Sequence, residues 1–324
     1  MPEPTHTSIW QHLYQTPHRL HWVDAAGVRT RVLEAGPAEA PALVLLHGTA
    51  GSLENFAANY AVLSRHFRVV GLDLMGCGWT DRPERDVLIP DYAAHVAAVM
   101  DALQIDSAAV IGVSLGAWVG AWLASTAPAR VERLVMVAPA GIVTDPEKEA
   151  RFAEGVRQRR SQAAQAPSWE SVSAAMRGLV LDPQALSDEL IAVRLGIYRD
   201  PGLQQAMPHL LAFTQGGQAL SEAQWQALTQ PILVLAAVDA PNMFLDNARA
   251  IARLAPRAQL VEIKGCDHWA QYEQPEAFHV AALPFLTQSS EQKDATCSRS
   301  EYVSAPLQPP VASEWCCRID RIDR

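Results

Sequence analysis

The sequence predicts an α/β fold: a mostly parallel sheet with helices on both faces and a helical cap inserted into it. Three observations carry this prediction. Short apolar runs alternate with amphipathic stretches up to about residue 137, and again from Pro231 onward. Residues 144–226 break that rhythm, being rich in Ala, Gln, Arg and Leu without a clear β run. Finally, the apolar run Ala108-Ala109-Val110-Ile111 leads into Gly112-Val113-Ser114-Leu115-Gly116 and then a helix-like stretch. A G-x-S-x-G pentapeptide between strand and helix marks a turn tight enough to need small neighbours around its serine.

Taken in order, His18 to Asp24 and Val28 to Glu34 flank Ala25-Ala26-Gly27 as a hairpin. Leu43 to His47 is the next strand, Leu53 to His66 is helical, and Phe67 to Asp73 is again a strand. An irregular loop covers Leu74 to Arg85. Asp91 to Leu103 is an amphipathic helix, with Pro90 before it and Asp91 as its cap. Val131 to Val137 is the sixth strand. Within the cap, Pro167-Ser168 and Asp182-Pro183 separate helical pieces. Ile232 to Leu235 and Gln259 to Lys264 are the last strands, and Pro275 to about Leu286 is the last helix. The domain reading is core 1–143, cap 144–226, core 227–288 and a disordered tail 289–324. In that tail Trp315-Cys316-Cys317 is read as part of a non-functional extension.

Bulk properties exclude several classes. The chain has 324 residues, 49% hydrophobic and 19% charged, enough for one large α/β domain with an insertion. A net charge of -9 argues against a nucleic-acid partner. No signal-peptide pattern and no apolar run of membrane-spanning length is found. Five cysteines (Cys77, Cys266, Cys297, Cys316, Cys317) lack metal-ligand spacing. The expectation is a reduced, cytoplasmic protein that acts on a small molecule, without metal or cofactor. Self-association is left open.

A serine on such a turn needs a base, an acid to orient the base, and donors for an oxyanion. In chain order the candidates are Ser114, then Asp239 after the strand at Ile232, then His268 in a loop after the last strand. Leu43 to Leu46 runs into His47-Gly48-Thr49-Ala50-Gly51, a loop able to turn a backbone N–H toward the serine. Thr49 and Leu115 are the oxyanion-hole candidates, with Gly48 beside the substrate. His47 is expected to brace that loop, and Asp73 to stabilise its own. Asp81 and Arg82 are expected to pair. Trp269 is expected to wall the site beside His268, and Trp118 and Trp122 to lie in the core.

Asp73-Leu74-Met75-Gly76-Cys77-Gly78-Trp79-Thr80-Asp81-Arg82-Pro83 and Gly265-Cys266-Asp267-His268-Trp269-Ala270-Gln271-Tyr272-Glu273 resemble the corresponding segments of the meta-cleavage product hydrolases. These are α/β-hydrolase enzymes that cut a carbon–carbon bond in ring-fission products of aromatic catabolism. The resemblance covers roughly residues 20–288 by motif placement. It implies the α/β-hydrolase fold and 2-hydroxy-6-oxo-dienoate substrates. It also implies that Arg194, in the cap segment from Pro167 to Arg194, contacts the acidic end of the substrate.

Two departures stand out. The family usually has Asn before the nucleophile, where it helps bind substrate; here that position is Val113. The family's triad acid matches Ala240, with Asp239 one residue earlier and Asp246 a fallback. A shift of one residue at a strand end turns the side chain to the other face unless a bulge restores it. Alternatives from these departures are a carboxylesterase or lactonase with the same serine machinery, and a catalytically impaired ligand-binding protein of this fold. Dehalogenase and epoxide-hydrolase chemistry needs a carboxylate where Ser114 stands. A cofactor-free oxygenase is a remote option.

Overall fold

Eight strands build one sheet: β1 (His18–Ala25), β2 (Val28–Ala35), β3 (Ala42–Leu46), β4 (Arg68–Leu72), β5 (Ala108–Val113), β6 (Val131–Val137), β7 (Ile232–Ala237) and β8 (Ala258–Ile263). The computed structural model describes residues 8–288. The predicted tail 289–324, with Trp315-Cys316-Cys317, falls outside the described residues. The strand order is β1-β2-β4-β3-β5-β6-β7-β8. β2 is antiparallel to both β1 and β4, and every other pairing is parallel. Composition explains the placement. All of β5 is buried, and β3, β4 and β7 nearly so, as parallel strands covered on both faces must be. The edge strands β1 and β8 alternate exposed and half-buried residues.

Helices flank the sheet. The short α1 (Ile9–Leu13) was not anticipated from the sequence; it is too short to show a period. A single 3-10 turn, Leu53–Phe56, leads into α2 (Ala57–Leu63). α3 (Ile89–Ala102) starts two residues before the expected Asp91. Asp91 still caps it, from inside the first turn, by accepting from the Leu88 amide at 2.9 Å. Pro90 sits where a helix has no use for an N–H. α4 (Leu115–Thr126) is apolar almost all round and lies buried behind β5.

Between β6 and β7 come five helices: α5 (Pro146–Gln165), α6 (Trp169–Arg177), α7 (Asp188–Tyr198), α8 (Pro201–Leu210) and α9 (Glu222–Ala227). Each begins at a side-chain cap: Asp145, Ser168, Ser187, Asp200 and Ser221. Such caps contribute about 1 kcal/mol each by satisfying first-turn N–H groups. The chain then returns to β7, followed by α10 (Met243–Leu254), β8, α11 (Ala270–Glu273) and α12 (Pro275–Thr287). Among the described residues no helix is long and apolar enough to cross a membrane.

The topology places the site. From β3 the chain adds β4 on one side and, later, β5 on the other. The loops leaving β3 and β5 therefore diverge, and a crevice opens beyond their C-terminal ends. Leu46 is paired with Gly112, so the His47-Gly48 loop and Ser114 emerge side by side.

Candidate active site

Ser114 occupies a backbone conformation that side chains rarely adopt, φ 55°, ψ -111°. Its neighbours explain how that is tolerated. A Cβ at Gly112 would stand 2.4 Å from the Gly116 carbonyl carbon, and one at Gly116 would stand 2.1 Å from the Leu46 oxygen. Only glycine fits at either position. The serine stores roughly 1–3 kcal/mol of backbone strain. Its amide donates to the Val137 carbonyl at 2.9 Å, which ties the turn to β6.

Beside it lies the loop after β3. A Cβ on Gly48 would come to 3.4 Å from the Ser114 Cβ. His47 braces this loop: its Nε2 accepts from the Leu74 amide at 3.0 Å, which leaves Nδ1–H to donate to the Gly48 carbonyl at 2.7 Å. Burial drives its pKa down to about 3, so it is a neutral bracket. Thr49, Ser114 and Leu115 line one cavity of about 510 Å³. The Leu115 amide is the first of α4 and has no partner within its own helix. The rest of the wall is largely apolar, with Trp118, Val143, Phe152, Val156, Phe213 and Phe244. Trp118, expected as core, is buried and also faces this space.

His268 lies in the turn after β8 and is buried. Its ring packs edge-on against Phe244, centroids 4.3 Å apart, and Phe244 packs the same way on Phe152 at 5.0 Å. Phe244, whose ring touches that of His268, lines the cavity that holds Ser114. Burial first, and the charge of Arg160 second, lower the His268 pKa to about 3.

The expected acid is not at the histidine. Asp239 is exposed, and its Oδ2 accepts from the Gly265 amide at 2.7 Å. Among the described residues no carboxylate is hydrogen-bonded to His268. The physical reason is register: β7 and β8 stay in step through Ala237 and Ile263, without a bulge to turn Asp239 back. Asp246 does not replace it, because it sits on α10 with Lys148 3.5 Å away. Asp267, next to His268, accepts from Asn242 at 2.9 Å.

Arg194 is fully buried. Its Nη2 donates to Asn55 Oδ1 at 3.0 Å, while Nε and Nη1 have no acceptor. It is not on the wall of the cavity that holds Ser114. Val113 is buried in β5 and Trp269 is buried against Tyr272; neither lines that cavity.

The loop after β4 surrounds Asp73, which accepts from Arg31 at 2.6 Å and from the Leu53 and Trp79 amides, each at 2.8 Å. The expected Asp81–Arg82 pair does not form. Asp81 accepts from the Arg29 amide, and Arg82 reaches across to Asp200 of the insertion at 3.0 Å.

The sequence model of the alpha/beta hydrolase fold family matches residues 41–275. The chain belongs to that family. The resemblance to meta-cleavage product hydrolases holds across most of its length. A 2-hydroxy-6-oxo-2,4-heptadienoate hydrolase of Pseudomonas putida is 27% identical, over 81% of this chain and 94% of its own. A 2-hydroxymuconate semialdehyde hydrolase of a Pseudomonas species is 28% identical, over 82% and 93%. A solved meta-cleavage product hydrolase from Pseudomonas fluorescens superposes with TM-score 0.69 at 25% identity, covering 84% of this chain and 98% of that one.

Sequence reading missed Arg160, Asn55 and Phe244 of this hydrolase. Arg160 had a usable signal: it shares a helical stripe with Ala153, Ala163 and Ala164, the buried face of α5. A lone charge on such a stripe is buried or bound.

Proposed function

We propose that this hydrolase cleaves the carbon–carbon bond of a 2-hydroxy-6-oxo-dienoate, using Ser114 and His268 without a hydrogen-bonded acid. The observation that carries the reading is Arg194: a buried guanidinium with two unpartnered nitrogens, in a family member whose relatives take acidic dienoates. A planar two-pronged cation matches a carboxylate, and its desolvation makes the match selective. The bound dienoate must then bridge from Arg194 to Ser114, although Arg194 is not on the wall of the cavity that holds Ser114. Transfer of the 2-hydroxyl proton to C5 gives the keto form, in which C5 is CH2 and C6 is an electrophilic carbonyl carbon. Ser114, or a water it directs, adds to C6 as His268 takes the proton. The amides of Leu115 and Thr49 hold the oxyanion. Cleavage of the C5–C6 bond sends the electron pair through the conjugated enone to the C2 oxygen, which takes the proton back from His268 and becomes the 2-hydroxyl. Water is consumed, and a carboxylic acid and a 2-hydroxydienoate leave.

The test is turnover of a chromogenic 2-hydroxy-6-oxo-dienoate against a p-nitrophenyl ester, with wild type and Ser114→Ala. Loss of several orders of magnitude in the dienoate rate on removing the hydroxyl is the expected scale. Faster ester turnover would favour the esterase or lactonase reading, to which Val113 and the apolar cavity wall are suited. Turnover of neither would favour a ligand-binding protein.

A further inference from the structure

The cavity that holds Ser114 has two charged side chains on its wall, Glu149 and Arg157, both from α5. They are not each other's counter-ion. Eight residues of helix separate them, about 12 Å along the axis. Arg157 pairs with Glu154 at 2.6 Å and donates to the carbonyl and hydroxyl of Thr214 at 2.8 and 3.0 Å. Its donors are engaged. Glu149 is half-buried, and among the described residues its carboxylate has no hydrogen bond and no ion pair. Burial pushes its carboxyl pKa up, as for any charge short of compensation. Its place in the first turn of α5, at the positive end of the helix, favours the ionised form. The cavity wall thus carries one uncompensated negative charge.

The surroundings of that charge are aromatic. Phe152 stands three residues along α5 from Glu149 and so shares its face of the helix. Phe152 packs on Phe244 at 5.0 Å, and Phe244 on His268 at 4.3 Å. Trp118 and Phe213 lie on the same wall. A carboxylate among aromatic rings suits an organic cation, because the carboxylate and the ring faces attract the same charge while the apolar stem of the ligand fills the remaining space. A neutral apolar group would leave the carboxylate desolvated and unpaired. In the proposed reaction the acid end of the dienoate belongs to Arg194, off this wall, so the cavity takes the group on the other side of the C6 carbonyl. Resting on that reading, we infer that Glu149 is a specificity-determining residue and that the acyl group it selects bears a protonated aliphatic amine.

The experiment measures binding alone, so that cleavage does not enter. The unmodified protein is titrated calorimetrically at neutral pH with 2-phenylethylamine, an ammonium under those conditions, and with 2-phenylethanol, which has the same skeleton without the charge. The amine is expected to bind about tenfold more tightly. Glu149→Gln, which keeps the shape, should bring the amine to within about twofold of the alcohol and leave the affinity for the alcohol unchanged. Ala153→Trp, which fills the same cavity from α5, should weaken both ligands, and a thermal melt checks that each variant is folded. No binding of the amine, equal binding of the two ligands, an amine preference that survives Glu149→Gln, or binding untouched by Ala153→Trp would overturn the inference. If the preference and its loss stand while the unmodified enzyme cleaves no hydroxy-oxo-dienoate, the proposed reaction fails and the role of Glu149 in choosing ligands survives. Cleavage without the preference gives the reverse.

Discussion

Replacing Asp239 by Ala distinguishes the arrangement seen here from an ordinary catalytic triad. In a triad the acid fixes the histidine tautomer and steadies the imidazolium, and its loss lowers kcat by about 10⁴. Here the carboxylate is on the Gly265 amide at 2.7 Å, is exposed, and makes no hydrogen bond with His268. What Asp239→Ala removes is one hydrogen bond to a charged group, worth about 1.5–3 kcal/mol when buried and nearer 1 kcal/mol in contact with water. For a protein of this size that corresponds to a fall of roughly 2 °C in Tm. Turnover of the best substrate should stay within about tenfold of wild type, since the altered loop adjoins His268 without supplying its partner. Steady-state kinetics and a thermal melt on the same preparation measure both quantities. A 10³- to 10⁴-fold fall in kcat with an unchanged melt would mean that Asp239 supports His268 during turnover, and the reasoning would be wrong.

Three more outcomes follow from the same geometry. Ala240→Asp puts a carboxylate where the resemblance places the acid; kcat should rise, and the His268 pKa should move up from about 3 in an NMR titration, whereas an unmoved titration would show that the new carboxylate does not reach the ring. Ser114→Gly should abolish hydrolysis yet raise stability by about 1 kcal/mol, because glycine adopts φ 55° without strain; a lower Tm would contradict the strain assigned to the elbow. Acid should destabilise the fold through His47, His95 and His268, whose buried rings are pushed down to about 3, 4 and 3 from the 6.5 of a free imidazole. The unfolded chain binds more protons below pH 6.5, so stability is complete above that value and is lost as pH falls toward 4, at up to ~4 kcal/mol per pH unit for the three. Urea unfolding at pH 7.5, 6 and 5 checks this, and a flat profile would refute it.

Most of the architecture was legible because periodicity and punctuation agreed. The buried strands read as apolar runs, and Asp145, Ser168, Ser187, Asp200 and Ser221 each stand where a helix begins. The elbow was legible because steric crowding leaves no choice but glycine at 112 and 116. The site's electrostatics were not. His95 had no partner visible in the sequence, yet its ring bonds Thr30 at 2.7 Å and the Met75 amide at 3.2 Å, contacts made only by folding. Asp239 was one residue out of phase, and strand register decides such cases. The resemblance marks Arg194, whereas no motif marks Arg160, which sits on the buried face of a helix that is otherwise polar.

The electrostatics around His268 run in one direction. In a Ser-His-acid triad the carboxylate makes accepting the serine proton easier. Around His268 both identified influences act the other way: burial, to which Phe244 contributes, disfavours the imidazolium, and Arg160 repels it. Arg160→Met should therefore move the His268 pKa up from about 3 in an NMR titration, whereas Arg160→Lys, which keeps the charge, should leave it nearer its starting value. An unmoved titration in the Met variant would show that the charge of Arg160 does not reach the ring.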